Sequence, residues 1–279
     1  MLSYRHSYHA GNHADVLKHI IQLDILQYLM KKDKPVCYID THSGAGFYKT
    51  KSEHMQKNAE YKTGITKLWG ETYGLPILDQ YLTLLAQYNA KNEFLYYPGS
   101  PKIAADALRP YDKLRFCELH PRDAITLTTS FKKDSRVRVY EQDGYEALNA
   151  LLPPQEKRGL VLIDPSYELK YEYNQLVKQV NAANKKFATG TFAIWYPVID
   201  REAIERFIRK FSNLGINNIL LAELCVRPDA RAQGMTGSGM IVIRPHYTLK
   251  ASLEAALPIV LERLGEAGGH FRVEQLVKE

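Results

Sequence analysis

Cysteine is scarce in this chain of 279 residues: there are three, Cys37, Cys117 and Cys225. The number is odd and all three sit in apolar, strand-like runs. That fits reduced, buried thiols in a cytoplasmic protein better than a disulfide framework. Long apolar runs are missing too. None approaches the ~18 residues that a transmembrane helix needs, so no membrane association is expected. The first residues, MLSYRHSYHAGNHADVLKH, are polar and lack the apolar segment of a secretory signal. Repeats, low-complexity tracts and long linkers are also absent. Negative charge does not predominate: the formal net charge is +6 and the sequence pI about 9.0. A basic surface favours phosphate-rich partners, nucleic acid among them, although many soluble proteins are as basic.

Strand-like and helix-like runs alternate almost throughout. Val16, Ile20, Leu23, Leu26 and Met30 recur at helical spacing and predict a first helix from about Asn12 to Lys32. The strand candidates are PVCYID (35–40), LRFCEL (114–119), RVRVYEQ (136–142), GLVLID (159–164), TFAIWYPV (191–198), NNILLAELCV (217–226), GMIVIRP (239–245) and HFRVEQLV (270–277). This alternation predicts an α/β fold with a mostly parallel sheet and helices on both faces. Strands 217–226 and 239–245 are joined by a non-helical loop and are expected to form an antiparallel edge. One interval breaks the rhythm. Far more residues separate the glycine turn at 44–46 from the strand at 114 than a crossover needs. LPILDQYLTLLAQYN (75–89) is apolar at helical spacing. The excess therefore reads as an inserted helical subdomain, 49–96, within a main domain made of 1–48 and 97–279. The crossover helix resumes at GSPKIAADAL, with Ser100 as N-cap and Pro101 at N1.

Ligands of open α/β sheets bind beyond the carboxyl ends of the strands. There, this chain carries acids. The first strand ends at Asp40, the second at Glu118, the third is followed by Asp143-Gly144, and the fourth ends at Asp164. A single such acid is most simply an N-cap for the next helix; four in succession point to a ligand crevice. The turn THSGAGF contains Gly-Ala-Gly at 44–46, but a dinucleotide fingerprint would want a third glycine where Lys49 stands. A ligand without a pyrophosphate, such as S-adenosylmethionine, does not need it. Its sulfonium and ribose hydroxyls suit carboxylate acceptors. Glu118 is placed for the ribose and Asp143 for the adenine amine.

The fourth strand runs LVLID and then stops on Asp-Pro-Ser-Tyr. An exocyclic amine on adenine is a poor nucleophile, because its lone pair is delocalised into the ring. Two acceptors aimed at its N–H groups would draw the nitrogen toward tetrahedral geometry and stabilise the charge that develops. Asp164 supplies one acceptor and the carbonyl of Pro165, whose φ is fixed, the other. Tyr167 is available to stack on a base taken out of any helical stack. The bland alternative is a strand-ending Asp-Pro turn.

With these residues in place, the chain resembles the amino-methyltransferases that act on adenine N6. DPSY corresponds to their (D/N)PP(Y/F) motif and DTHSGAGFY to their cofactor-binding motif. YRHSYHAGNHADVLKH, YPGSP, ELHP, DGYEAL, FATGTFAIWYPV and GMTGSGMIVI narrow the match. Over essentially its whole length the chain is similar to the bacterial 23S rRNA adenine-N6 methyltransferase family, large-subunit methyltransferase J. The resemblance implies a Rossmann-like class I S-adenosylmethionine-dependent methyltransferase, and 23S ribosomal RNA as partner. It makes Asp164 the catalytic acceptor, and His19, His42, Ser100, Glu118, Asp143 and Gly144 the cofactor contacts. Tyr4 would contact the RNA. Ser166 departs from the family motif, which has a second proline there.

A DNA adenine-N6 methyltransferase would use the same acceptors, but usually with a larger recognition region than this insertion. A non-catalytic RNA-binding protein of the same fold would not need Asp164, Glu118 and Asp143 together. His6, His9, His13 and His19 do not complete a metal motif, and methyl transfer from a sulfonium needs no metal, so none is expected. Nothing in the sequence suggests more than a monomer.

Overall fold

The computed structural model describes residues 5–168, 171–229 and 234–279. In chain order the regular elements are α1 (His13–Met30), β1 (Cys37–Asp40), β2 (Phe47–Lys49), α2 (Glu53–Asn58), α3 (Pro76–Leu85), β3 (Tyr96–Pro98), α4 (Ser100–Ala107), β4 (Lys113–Cys117), α5 (Pro121–Phe131), β5 (Val137–Tyr140), α6 (Gly144–Ala150), β6 (Gly159–Ile163), α7 (Glu172–Lys186), β7 (Thr191–Val198), α8 (Arg201–Ser212), β8 (Ile219–Cys225), β9 (Gly237–Ile243), α9 (Leu249–Leu264) and β10 (His270–Val277). Eight strands make one sheet in the order β10-β8-β9-β7-β6-β1-β4-β5. The strands from β5 across to β7 are parallel, whereas β9 runs antiparallel to both β7 and β8, and β10 antiparallel to β8.

The alternation of side chains along each strand divides the core into two layers. Tyr38, Leu114, Phe116, Leu160 and Leu162 point to the layer built with α1, α3, α4, α5 and α9. Cys37, Ile39, Val161 and Ile163 point to the opposite layer, built with α6, α7 and α8. Helices therefore cover both faces. α1 is buried along most of its length, from Ala14 to Leu26. It starts at Asn12, whose side chain accepts the Asp15 N–H at 3.0 Å and satisfies one orphan donor of the first turn.

Residues 49–96 hold α2, α3 and two short 3-10 turns, Glu60–Lys62 and Ile65–Lys67. At its base, β2 and β3 pair antiparallel, Tyr48 opposite Tyr97. Ile77, Leu78, Tyr81 and Leu85 of α3 join the same apolar cluster as α1 and α9.

Two sequence-based expectations are corrected. The antiparallel pair 217–226 and 239–245 does form, but it is not the edge: β9 inserts between β7 and β8, and β10 takes the edge. A buried charge cluster ties β10 to β8. Glu223 on β8 is fully buried and accepts from Tyr196 Oη at 2.7 Å, Arg201 Nη1 at 2.7 Å and Arg272 Nη2 at 3.3 Å. Arg272 lies on β10, so the last strand brings one of the counterions. Ser100, in turn, is not the cap of α4; Gly99 is, and Ser100 is the first helical residue. Its hydroxyl donates instead to Asp40 Oδ2 at 2.6 Å.

Asp40, the last residue of β1, is completely buried. It also accepts from Tyr38 Oη at 2.8 Å and from the His42 N–H at 3.3 Å. Burial pushes its carboxyl up to about 6, and the hydrogen bonds from Ser100 and Tyr38 only partly oppose this.

Both clusters can be tested by stability. Glu223→Ala leaves two guanidinium groups short of a buried partner and is expected to cost about 3 kcal/mol in urea unfolding. A midpoint equal to wild type would mean that Asp229 and Glu205, the other partners of these arginines, suffice. For Asp40, the native state keeps its proton up to about pH 6, whereas the unfolded chain releases it near 3.8. The stability it contributes is thus present in acid and is lost as the pH rises through that window. Asp40→Asn keeps a carbonyl acceptor for Tyr38 and Ser100. It is expected to melt above wild type near pH ~8, and the gap should close toward pH ~4. A pH-independent difference in melting temperature would refute this.

Candidate active site

A cavity of about 270 Å³ opens over the carboxyl ends of β1, β4 and β6 and the start of α6. The loop after β1 forms its floor. The Thr41 N–H donates to Leu162 O at 3.1 Å and the Ser43 N–H to Cys117 O at 2.9 Å, which fixes the loop to the two flanking strands. Gly44 then turns with φ +60°, and a Cβ there would stand 2.5 Å from Tyr48 Oη. Its N–H donates to Glu118 Oε2 at 2.7 Å.

Glu118 follows β4. Its other oxygen accepts the His120 N–H at 2.7 Å, and burial raises its carboxyl above the ordinary glutamate value. Asp143 caps α6 by accepting the Tyr145 N–H at 2.7 Å. Gly144 admits no side chain, since a Cβ would come within 2.2 Å of Thr41 O and 2.7 Å of the His42 ring. His42 pairs through Nδ1 with Thr41 Oγ1 at 2.7 Å, and burial lowers it to about 4. It therefore meets a ligand as a neutral imidazole.

Asp164 follows β6, 14% exposed at its side chain. Its Oδ2 accepts from Lys18 Nζ at 2.5 Å. Lys18 also lies 2.8 Å from Asp15 Oδ1, and the other oxygen of Asp15 accepts the Gly11 N–H at 2.8 Å and meets His6 Nε2 at 3.0 Å. Burial opposes the charge on both Asp15 and Lys18. The attraction of His6, Lys18 and His19 nevertheless holds the Asp15 carboxyl well below its usual range, and Asp15 and Asp164 hold the Lys18 ammonium well above its own. The charged forms persist because each is paired. At the rim, Arg5 Nη2 donates to Asp123 Oδ1 at 2.5 Å and joins the chain before α1 to the first turn of α5.

The predicted residues His42, Ser100, Glu118, Asp143, Gly144, Asp164 and Pro165 all line this one cavity, and so does Ser166. Two others do not. His19 is fully buried beneath it, with Nδ1 2.7 Å from Tyr97 Oη and burial lowering it to about 3. One step along a helix turns a side chain by ~100°, so Lys18 faces the cleft where His19 was expected, and His19 reaches it only through Asp15. Tyr167 has φ +52°; its hydroxyl donates to Trp195 O at 2.5 Å and its ring packs 4.5 Å from Tyr173. The aromatics that line the cleft are instead Tyr48, Tyr145 and Tyr171, of which Tyr171 is 60% exposed. Tyr4 lies outside the described residues.

Lys18, Asp15 and Arg5 were missed by the sequence reading, whereas His6, read there among the N-terminal histidines, does line the cavity. A signal existed: Asp15 and Lys18 stand three apart among the apolar residues of α1, where an acid and a base survive burial only as a pair. Among the described residues, one group has metal-ligand character, Glu223, Cys225 and His270. Two arginines already occupy its carboxylate.

No helix of the described residues is long and apolar enough to cross a membrane. The family "Ribosomal RNA large subunit methyltransferase D, RlmJ" matches residues 33–277. "Ribosomal RNA large subunit methyltransferase J" of Escherichia coli is 47% identical over the full length of both chains. The protein of the same name from Haemophilus influenzae is 46% identical, also over both full lengths. The crystal structure of protein LPL1258 from Legionella pneumophila superposes with a TM-score of 0.88 at 38% identity, covering 96% of this chain and 98% of that one. The sheet order agrees with the Rossmann-like class I methyltransferase fold expected above. The chain belongs to the ribosomal RNA large subunit methyltransferase J family.

Proposed function

We propose that this protein transfers a methyl group from S-adenosylmethionine to N6 of an adenine in 23S ribosomal RNA. The observation that carries the reading is the meeting of Asp164 and Pro165 with Glu118, Asp143 and Gly144 around one cavity. The donor set suits the cofactor. Carboxylates outnumber the cations Arg5 and Lys18 around the cavity, as a sulfonium and an ammonium require, and Gly44 and Gly144 let the loop after β1 pack closely against Tyr48 and the start of α6 at the cavity wall. When bound, the cofactor supplies the activated methyl group. The residues proposed to hold it are His42, Ser100, Glu118, Asp143 and Gly144, with His19 supporting the site from beneath.

The chemistry of the chain itself centres on Asp164. Lys18 occupies Oδ2, which leaves Oδ1 to accept an N–H of the base. The contact with Lys18 also fixes the orientation of the carboxyl group, so its free oxygen is a preorganised acceptor for the charge that develops on the amine. The Pro165 carbonyl is the second acceptor. Tyr4 is assigned to the RNA. In this reading residues 1–48 and 97–279 are the catalytic domain, 49–96 an inserted helical subdomain, and the enzyme works as a cytoplasmic monomer.

Methyl incorporation into a 23S rRNA transcript is expected to exceed that into duplex DNA; a preference for DNA would overturn the substrate. Asp164→Asn is expected to lower kcat by about 10²-fold or more, while cofactor affinity by calorimetry stays within about tenfold. Near-normal turnover would remove Asp164 from this role. Lys18→Met should cost a similar factor, and the double variant little more, because the two groups act as one unit. Additive losses would separate them.

A further inference from the structure

At the far side of the molecule, β4 and β5 carry cations where the other strands carry a helix. Leu114 and Phe116 of β4 enter the α1 layer of the core, and Val137 and Val139 of β5 pack against it. By alternation, Lys113, Arg115 and Arg138 project from the opposite face. There the α6–α8 layer reaches β1, β6 and the strands beyond, through residues such as Cys37, Ile39, Val161 and Ile163, and includes no residue of β4 or β5. Arg115 and Arg138 stand directly opposite each other in the ladder. Like charges in that position are destabilising unless something neutralises them.

Within the chain, little does. Lys113, Arg115, Arg136 and Arg138 line a groove of about 340 Å³ whose one acidic residue is Glu156. Arg136 is committed to Asp134 and to the carbonyls of Leu108 and Ala105. Among the described residues, Lys113, Arg115 and Arg138 form no ion pair.

The geometry points to this groove as a second RNA-binding surface, one that grips backbone phosphates flanking the reactive nucleotide. It rests on the RNA-substrate reading above. Its charge matches the partner, and its place suits the task. The groove starts at Lys113, the first residue of β4, and the cleft begins at Glu118, just beyond its last. Five residues at ~3.3 Å each separate them by roughly 17 Å, about five base-pair steps of a duplex. An RNA with its target adenine in the cleft can thus lay neighbouring phosphates along β4 and β5. Such contacts fix register without reading sequence.

The test uses the full-length Arg115→Gln/Arg138→Gln double variant and a 23S rRNA fragment. RNA affinity near 0.1 M salt is expected to fall about tenfold. The slope of log affinity against log salt should shrink by about 1.5, the loss of two phosphate contacts. KM for RNA should rise in parallel, with kcat within about twofold and cofactor affinity unchanged. Melting temperature should hold or rise as the like-charge pair disappears. Arg138→Lys, which keeps the charge, should retain the salt slope. If the double variant binds RNA with wild-type affinity and slope, the proposal is overturned. It is equally overturned if inorganic phosphate alone binds the groove while RNA terms stay unchanged. Wild-type protein that fails to methylate RNA would instead overturn the substrate reading, and the groove assignment with it.

Discussion

A single ammonium group joins the first helix of this protein to the end of its central strand. Lys18 Nζ lies 2.5 Å from Asp164 and 2.8 Å from Asp15, and its side chain is 4% exposed. Removal of either charge from such a site would strand the other away from water, at a cost of several kcal/mol. The position of α1 over the sheet and the placement of the Asp164 side chain are therefore one condition. Gly11, His6 and Asn12 complete it, because they satisfy Asp15 and the first turn of α1. The residues that precede the sheet in sequence are part of the floor of the cleft.

The rest of the cleft follows from how parallel strands end. Each strand delivers its last side chain to the same rim, and the next helix begins there with N–H groups to satisfy. Asp143 answers that need for α6, and Glu118 answers it for the glycine turn and for His120. These carboxylates thus serve two ends. They hold the backbone, and they present negative charge to whatever occupies the space between them.

Much of this could be read from the sequence, because it depends on short-range pattern. Acids at the ends of apolar runs marked Glu118, Asp143 and Asp164, and glycines marked the turn; Asp40, read with them, is instead buried against Tyr38 and Ser100 and does not line the cleft. What escaped depends on rotation or on distant partners. Lys18 and His19 are neighbours, and periodicity alone does not say which faces the cleft. Tyr167 was lost to a backbone that turns into the left-handed region and points its hydroxyl at Trp195. The pairing of β10 with β8 brings together Glu223 and Arg272, which lie 49 residues apart.

That last pair bears on the order in which the chain is made. Synthesis runs from the amino end, so Glu223 leaves the ribosome well before Arg272, with only the Arg201 guanidinium and the Tyr196 hydroxyl to meet it. Until His270–Val277 emerges, β8 also presents an unpaired row of backbone groups of the kind that invites foreign strands. The nascent protein completes its sheet and gives its buried acid a second guanidinium in the same late step, with the arrival of its final strand.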